Sequence, residues 1–179
     1  LTTQLPRDGG PPDILGPGLS VLFCGINPGL RSAEVGLHFA RPGNRFWKLL
    51  HQAGFTDRVL DPAEQEILPS LGIGITNLVP RASAAADELT ADELRSGATR
   101  LVELVAEWRP GCVAVLGVLA YRTAFRRPKA VVGRQPDGIA GVPAWLLPNP
   151  SGLQARYQLP EMVALYGELR RAGGTSGPT

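Results

Sequence analysis

Cysteine is scarce in this chain, and its two copies, Cys24 and Cys112, both lie inside apolar runs. Buried free thiols are therefore expected in place of a disulfide or a metal pair. No apolar run approaches the roughly 18 residues of a membrane-spanning helix. Nor does any stretch combine the basic, apolar and small-residue parts of a signal peptide. The expectation is a cytoplasmic protein with no membrane partner. A G-x-G-x-x-G fingerprint and a P-loop are both missing after the first apolar run, which argues against a nucleotide-binding hydrolase on a doubly wound sheet. An excess of charge of one sign is missing too. Lys and Arg total 18 against 16 Asp and Glu, a net charge of +2, which permits a nucleic-acid partner without demanding one.

What is present is the material of one domain. A chain of 179 residues with 44% hydrophobic content can bury a full core, and no repeat or linker divides it. Residues 1–13, rich in proline and glycine, read as a loose arm, 14–172 as the domain and 173–179 as a loose tail. Four short apolar runs read as strands: Ser20 to Cys24, Ile73 to Asn77, Cys112 to Leu116 and Val142 to Leu147. Between the first two, Leu30 to Gly43 reads as a long loop. Asn44 caps a helix carrying Phe46, Leu49, Leu50 and Ala53, which Gly54 ends. Asp61-Pro62-Ala63-Glu64 opens another helix, expected to stop before Pro69.

Thr90 and Glu93 form a capping box for a helix with Leu94, Ala98, Leu101, Val102 and Val105 on its inner face. Leu119 to Phe125 makes a short helix, Ala130 to Ala140 a turn-rich excursion, and Pro160 starts the last helix. Strands alternating with helices predict an α/β three-layer sandwich: a central, mostly parallel four-stranded sheet with helices on both faces. Right-handed crossovers then bring every strand's carboxyl end to one edge. That edge collects Asn27, Asn77 and Asn149.

Two stretches carry the chemistry. Gly25-Ile26-Asn27-Pro28-Gly29 follows the first strand, and Pro148-Asn149-Pro150-Ser151-Gly152 follows the fourth. In each, a proline stiffens the loop and holds the preceding asparagine near extended geometry, so the loop presents one uncharged amide. An amide offers two donors and an acceptor, suited to a water, a base edge or a neighbouring carbonyl. Either loop could equally be an ordinary turn closed by its own backbone bonds.

With Phe39-Ala40-Arg41-Pro42-Gly43-Asn44-Arg45-Phe46-Trp47-Lys48 between them, these motifs resemble the mismatch-specific uracil-DNA glycosylases, bacterial relatives of thymine-DNA glycosylase. The resemblance runs from about Asp13 to Arg171. It implies a monofunctional hydrolase, with no metal and no organic cofactor, that flips uracil mispaired with guanine out of double-stranded DNA and leaves an abasic site. Thymine and ethenocytosine are further candidate bases, and the protein is expected to act as a monomer.

By the same resemblance Asn27 positions the attacking water, Phe39 stacks on the extruded base, and the backbone around Ile26 and Phe39 reads the uracil edge. Asn149 lies beside the pocket, with Asn77 at the end of the second strand. Ser151, Gly152 and Leu153 belong to the segment that enters the duplex. A phenylalanine in a loop could instead plug the core, and a leucine after Asn-Pro-Ser-Gly could cap the sheet edge.

The chain departs from the family pattern in three places. The second motif lacks the histidine of the main uracil-DNA glycosylases. Asn77 stands where the nearest relatives are expected to carry lysine. The basic residue expected soon after the wedge leucine comes only at Arg156, behind Gln154 and Ala155. Asp87, in the loop after the second strand, is a candidate second catalytic group or a solvated charge ahead of a helix. Arg31, Arg41, Arg45, Lys48 and Arg81 are candidate phosphate contacts, while His38 and His51 could bind phosphate or nothing. A non-catalytic module sensing damaged bases through the same pocket is the alternative.

Overall fold

The computed structural model describes residues 9–152 and 156–173. Its sheet has the strand order β2-β1-β3-β5-β4, where β1 is Val21–Gly25, β2 Ile73–Asn77, β3 Cys112–Leu116, β4 Gly133–Arg134 and β5 Ala144–Leu147. The four strands expected from the sequence all pair in parallel. The fifth, β4, is an antiparallel edge strand of two residues inside the turn-rich excursion, too short to carry a period of its own.

Alternation along β1 explains the three layers. Val21 and Phe23 enter one core with Phe46, Leu49, Leu50, Tyr166 and Leu169, supplied by helices α2 (Phe46–Gln52) and α5 (Leu159–Ala172). Leu22 and Cys24 enter the other with Leu101, Val105 and Tyr121, from α3 (Ala91–Trp108) and α4 (Val118–Ala124). A strand covered on both faces must be apolar throughout, which is why β3 reads Cys-Val-Ala-Val-Leu without a break. Both thiols are free and buried, and burial pushes Cys24 up to about 12 and Cys112 to about 11.

The capping box at Thr90 forms as the sequence predicts, as does the one at Asp61. The helix after Asp61 differs from expectation. It is a 3₁₀ run over Pro62–Leu71 that passes through Pro69 and ends at Gly72 in the left-handed region. Successive 3₁₀ turns tolerate an interrupted bonding pattern that an α-helix interior does not. The loop expected over Leu30 to Gly43 contains a six-residue helix, α1 (Leu30–Val35), too short to show a period.

The N-terminal arm also differs: its described part is packed. Gly10 and Pro11 are buried, Asp13 pairs with Arg100 and accepts from Thr76, and Ile14 bridges Ile75. No helix among the described residues is long and apolar enough to cross a membrane.

Candidate active site

The register of the sheet sets Gly25 beside Asn77 at the carboxyl ends of β1 and β2. The pairing continues beyond the strands. Leu78 N–H donates to Gly25 O, Val79 N–H to Ile26 O and Ser83 N–H to Pro28 O. The loop after β2 is thereby zipped onto the Asn27 loop, and together they wall a cleft of about 610 Å³. Ile26, Asn27, Phe39, Arg41, Asn77, Asn149 and Ser151 all line it, so one edge gathers groups from the carboxyl ends of β1, β2 and β5 and from the loop after α1.

The zipped loop decides how Asn27 is held. Its Nδ2 donates to the Arg81 carbonyl at 2.9 Å and to the Ser83 hydroxyl at 2.7 Å. Both amide hydrogens are thus engaged, and Oδ1 is left as an acceptor without a partner among the described residues. A half-buried amide fixed in this way can hold a water but cannot take its proton.

Opposite, the missing side chain of Gly25 makes room for those of Asn77 and Phe39. A Cβ there would lie 2.7 Å from Asn77 Oδ1 and 3.4 Å from the Phe39 ring. Phe39 has φ of 51°, a conformation costly for a bulky side chain and held here by its neighbours. His38 O accepts from the Trp47 indole, His38 N–H donates to Gln65, and Ala40 N–H donates to Ser32 Oγ. The Phe39 ring lies on Phe46 with centroids 4.1 Å apart, leaving its opposite face as the one a planar base can cover. It is therefore both a core neighbour and a cleft wall. Among the described residues, the N–H groups of Ile26 and Phe39 have no hydrogen-bond partner, which suits them to carbonyl oxygens of a ligand.

In the second motif, Asn149 Oδ1 accepts from Ser151 N–H, closing the turn. Gly152 lies so near Gly43 that a Cβ would meet its carbonyl oxygen at 2.6 Å. Leu153 lies outside the described residues. Arg45, a candidate phosphate contact by sequence, instead donates to the carbonyls of Tyr157 at 2.8 Å and Ser151 at 3.1 Å. It ties the Phe46 helix to the second motif.

Arg31 and Arg81 are paired with Glu34 and Glu93, which lowers their availability to phosphate. Arg41 and Lys48 are exposed and have no ion pair among the described residues, while Arg156 lies 5.6 Å from the Tyr157 ring. Asp87 is not brought to the site. It sits exposed on the 3₁₀ turn Ala86–Glu88, and of that region Ala84, Ala85 and Ala86 line the cleft. The reach expected of it fails because the chain turns at Ala86, once the part bonded to the Asn27 loop has ended. Sequence reasoning missed Ser83; its signal was a hydroxyl in the loop already singled out.

His38 lines the cleft but is 2% exposed, with Nε2 donating to Pro12 O at 2.7 Å. Burial lowers its pKa below the ordinary 6.5. His51 also bonds backbone, with Nδ1 3.1 Å from Thr56 O. Because the folded state holds His38 neutral, its contribution is fully present above the unfolded value near 6.5. It is lost as pH falls from there through the lower folded value. His38→Gln should accordingly flatten the fall in melting temperature between pH 7.5 and pH 5, read by thermal denaturation at both pH values. An unchanged slope would assign the acid sensitivity to other groups.

A family model described as the uracil DNA glycosylase superfamily matches residues 12–170.

Proposed function

As the chain belongs to the uracil-DNA glycosylase superfamily, whose members are DNA glycosylases, we propose that it removes uracil mispaired with guanine from double-stranded DNA by flipping the nucleotide into the cleft. Thymine and ethenocytosine are further candidate bases. The observation that carries this reading is the Asn27 amide, held by both hydrogens with its oxygen free in a cleft beside Phe39 and Asn77. The proposed enzyme is a monofunctional monomer.

The extruded base would lie on Phe39, with the Asn77 amide and the Ile26 and Phe39 N–H groups meeting its polar edge. Those donors stabilise the negative charge that builds on uracil as the glycosidic bond breaks. The sugar becomes oxocarbenium-like, and a water held by Asn27 Oδ1 is placed to attack it. Such a cation accepts a neutral water, whose surplus proton then passes to solvent, while the uracil anion takes up one proton from solvent, so that one water is consumed overall. The cleft lining among the described residues contains no carboxylate, in keeping with a reaction driven by positioning and leaving-group stabilisation. Arg41 and Lys48 are proposed to contact phosphates, and Ser151 to Leu153, followed by Arg156, to fill the vacated stack.

The test is a labelled duplex with one G·U pair, treated with alkali to reveal abasic sites. Strand cleavage only after alkali supports a monofunctional glycosylase; binding without cleavage supports the non-catalytic module. Phe39→Ala should lose about 1–3 kcal/mol of stacking, or roughly fivefold to 150-fold in single-turnover rate. Its melting temperature should fall too, because the ring also packs on Phe46. Retained activity per folded molecule would make Phe39 a core residue only. Asp87→Asn should cleave at the wild-type rate across pH; a slower rate would restore it as a catalytic group.

A further inference from the structure

Two alternative orientations are open to any asparagine amide, and only one of them suits a water that must attack. With Oδ1 towards the cleft, the water donates a hydrogen to it and keeps a lone pair for the sugar carbon. With Nδ2 towards the cleft, the amide would donate to that lone pair and block it.

The groups behind Asn27 discriminate between these states. The Arg81 carbonyl, 2.9 Å from Nδ2, can only accept, so a flipped amide would set oxygen against oxygen. A hydroxyl is ambiguous in principle, since it can donate or accept. At Ser83 the ambiguity is removed: its Oγ donates to Ala85 O at 2.7 Å and so presents a lone pair to Asn27 Nδ2, also at 2.7 Å. The same residue's N–H donates to Pro28 O at 3.1 Å, fixing the hydroxyl relative to the Asn27 loop, and Ser83 is 5% exposed. Protons therefore run one way, from Asn27 Nδ2 to Ser83 Oγ to Ala85 O.

We propose that Ser83 is a positioning residue for hydrolysis, whose hydroxyl, polarised by the Ala85 carbonyl, holds the Asn27 amide with its oxygen towards the cleft. This rests on the reading of Asn27 as the water's holder. Ser83 lines the cleft behind Asn27, and its proposed action on the reaction runs through the Asn27 amide.

Single-turnover cleavage of a G·U duplex should fall about tenfold in Ser83→Ala, as for one lost hydrogen bond. DNA affinity should stay near wild type, and Ser83→Thr, which keeps the hydroxyl, should recover most of the rate. In an Asn27→Ala background, Ser83→Ala should cost nothing further, because there is no amide left to orient. The side-chain amide protons of Asn27, followed by nitrogen-proton NMR on free protein, should exchange faster with water in Ser83→Ala.

An equal rate loss with and without Asn27, or Asn27 amide signals unmoved by Ser83→Ala, would overturn the proposal. If Ser83→Thr folds poorly, the double variant and the NMR measurement still decide. Failure of the wild type to cleave G·U would overturn the functional reading, while the NMR arm would still report whether Ser83 holds the amide.

Discussion

Asn27→Ala is expected to lose about two to three orders of magnitude in single-turnover cleavage of a G·U duplex, the usual effect of removing one preorganised contact in a water-excluded site. Binding to the same duplex should be unchanged, because in the proposed reaction the amide holds the attacking water and supplies no phosphate contact. The melting temperature should shift little, since the zipper of Leu78, Val79 and Ser83 onto the same loop is made by backbone groups that the substitution leaves in place. Separating chemistry from release is essential, so the rate is to be measured with enzyme in excess. A tenfold or smaller loss would mean that the leaving-group contacts carry the reaction and that Asn27 serves chiefly to close the loop.

The second large effect is expected behind the cleft lining, at Gly97 on α3. Glycine to alanine within a helix ordinarily stabilises by about 0.5–1 kcal/mol. Here a Cβ would lie 2.3 Å from the Leu78 carbonyl oxygen and 2.9 Å from its carbon, both backbone atoms that cannot rotate away. Forcing extra volume into a packed core costs about 1–3 kcal/mol, so the clash outweighs the propensity and the sign reverses.

Leu78 is also where the zipper to Gly25 begins, and Arg100, three residues beyond Gly97, grips the Asn77 carbonyl, Thr76 and Asp13. Pushing α3 outward should therefore displace Asn77 and Ser83 together. Gly97→Ala is expected to melt several degrees below wild type and to lose cleavage activity per folded molecule. A higher melting temperature with full activity would show that helix α3 can slide without disturbing the loop.

The rigid turns and the buried strands were legible from the sequence because they rest on local chemistry. Asn-Pro after an apolar run, Thr90 with Glu93, and Asp61 with Pro62 and Glu64 act within a few residues of one another. A strand buried on both faces must be apolar throughout, so β3 announced itself. The short helix α1 and the two-residue β4 did not, since each is held by neighbours and shows no period of its own.

The same division runs through the site. Asn27, Asn77 and Asn149 were identifiable as residue types at the ends of strands and Phe39 through the family resemblance, and the fold brings all four to one cleft. What each does with its hydrogen bonds was not identifiable. Arg45 carries the same charge as Arg41, yet one reaches the Ser151 and Tyr157 carbonyls and the other lies exposed in the cleft lining. Asp87 and Ser83 belong to one loop. Only the zipper onto Pro28 decides that the hydroxyl meets Asn27 while the carboxylate stays in solvent. Local sequence determines which groups are available and how stiffly the backbone holds them. Pairing between segments more than fifty residues apart decides which of those groups meet, because a hydrogen bond depends on distance and direction that no local pattern encodes.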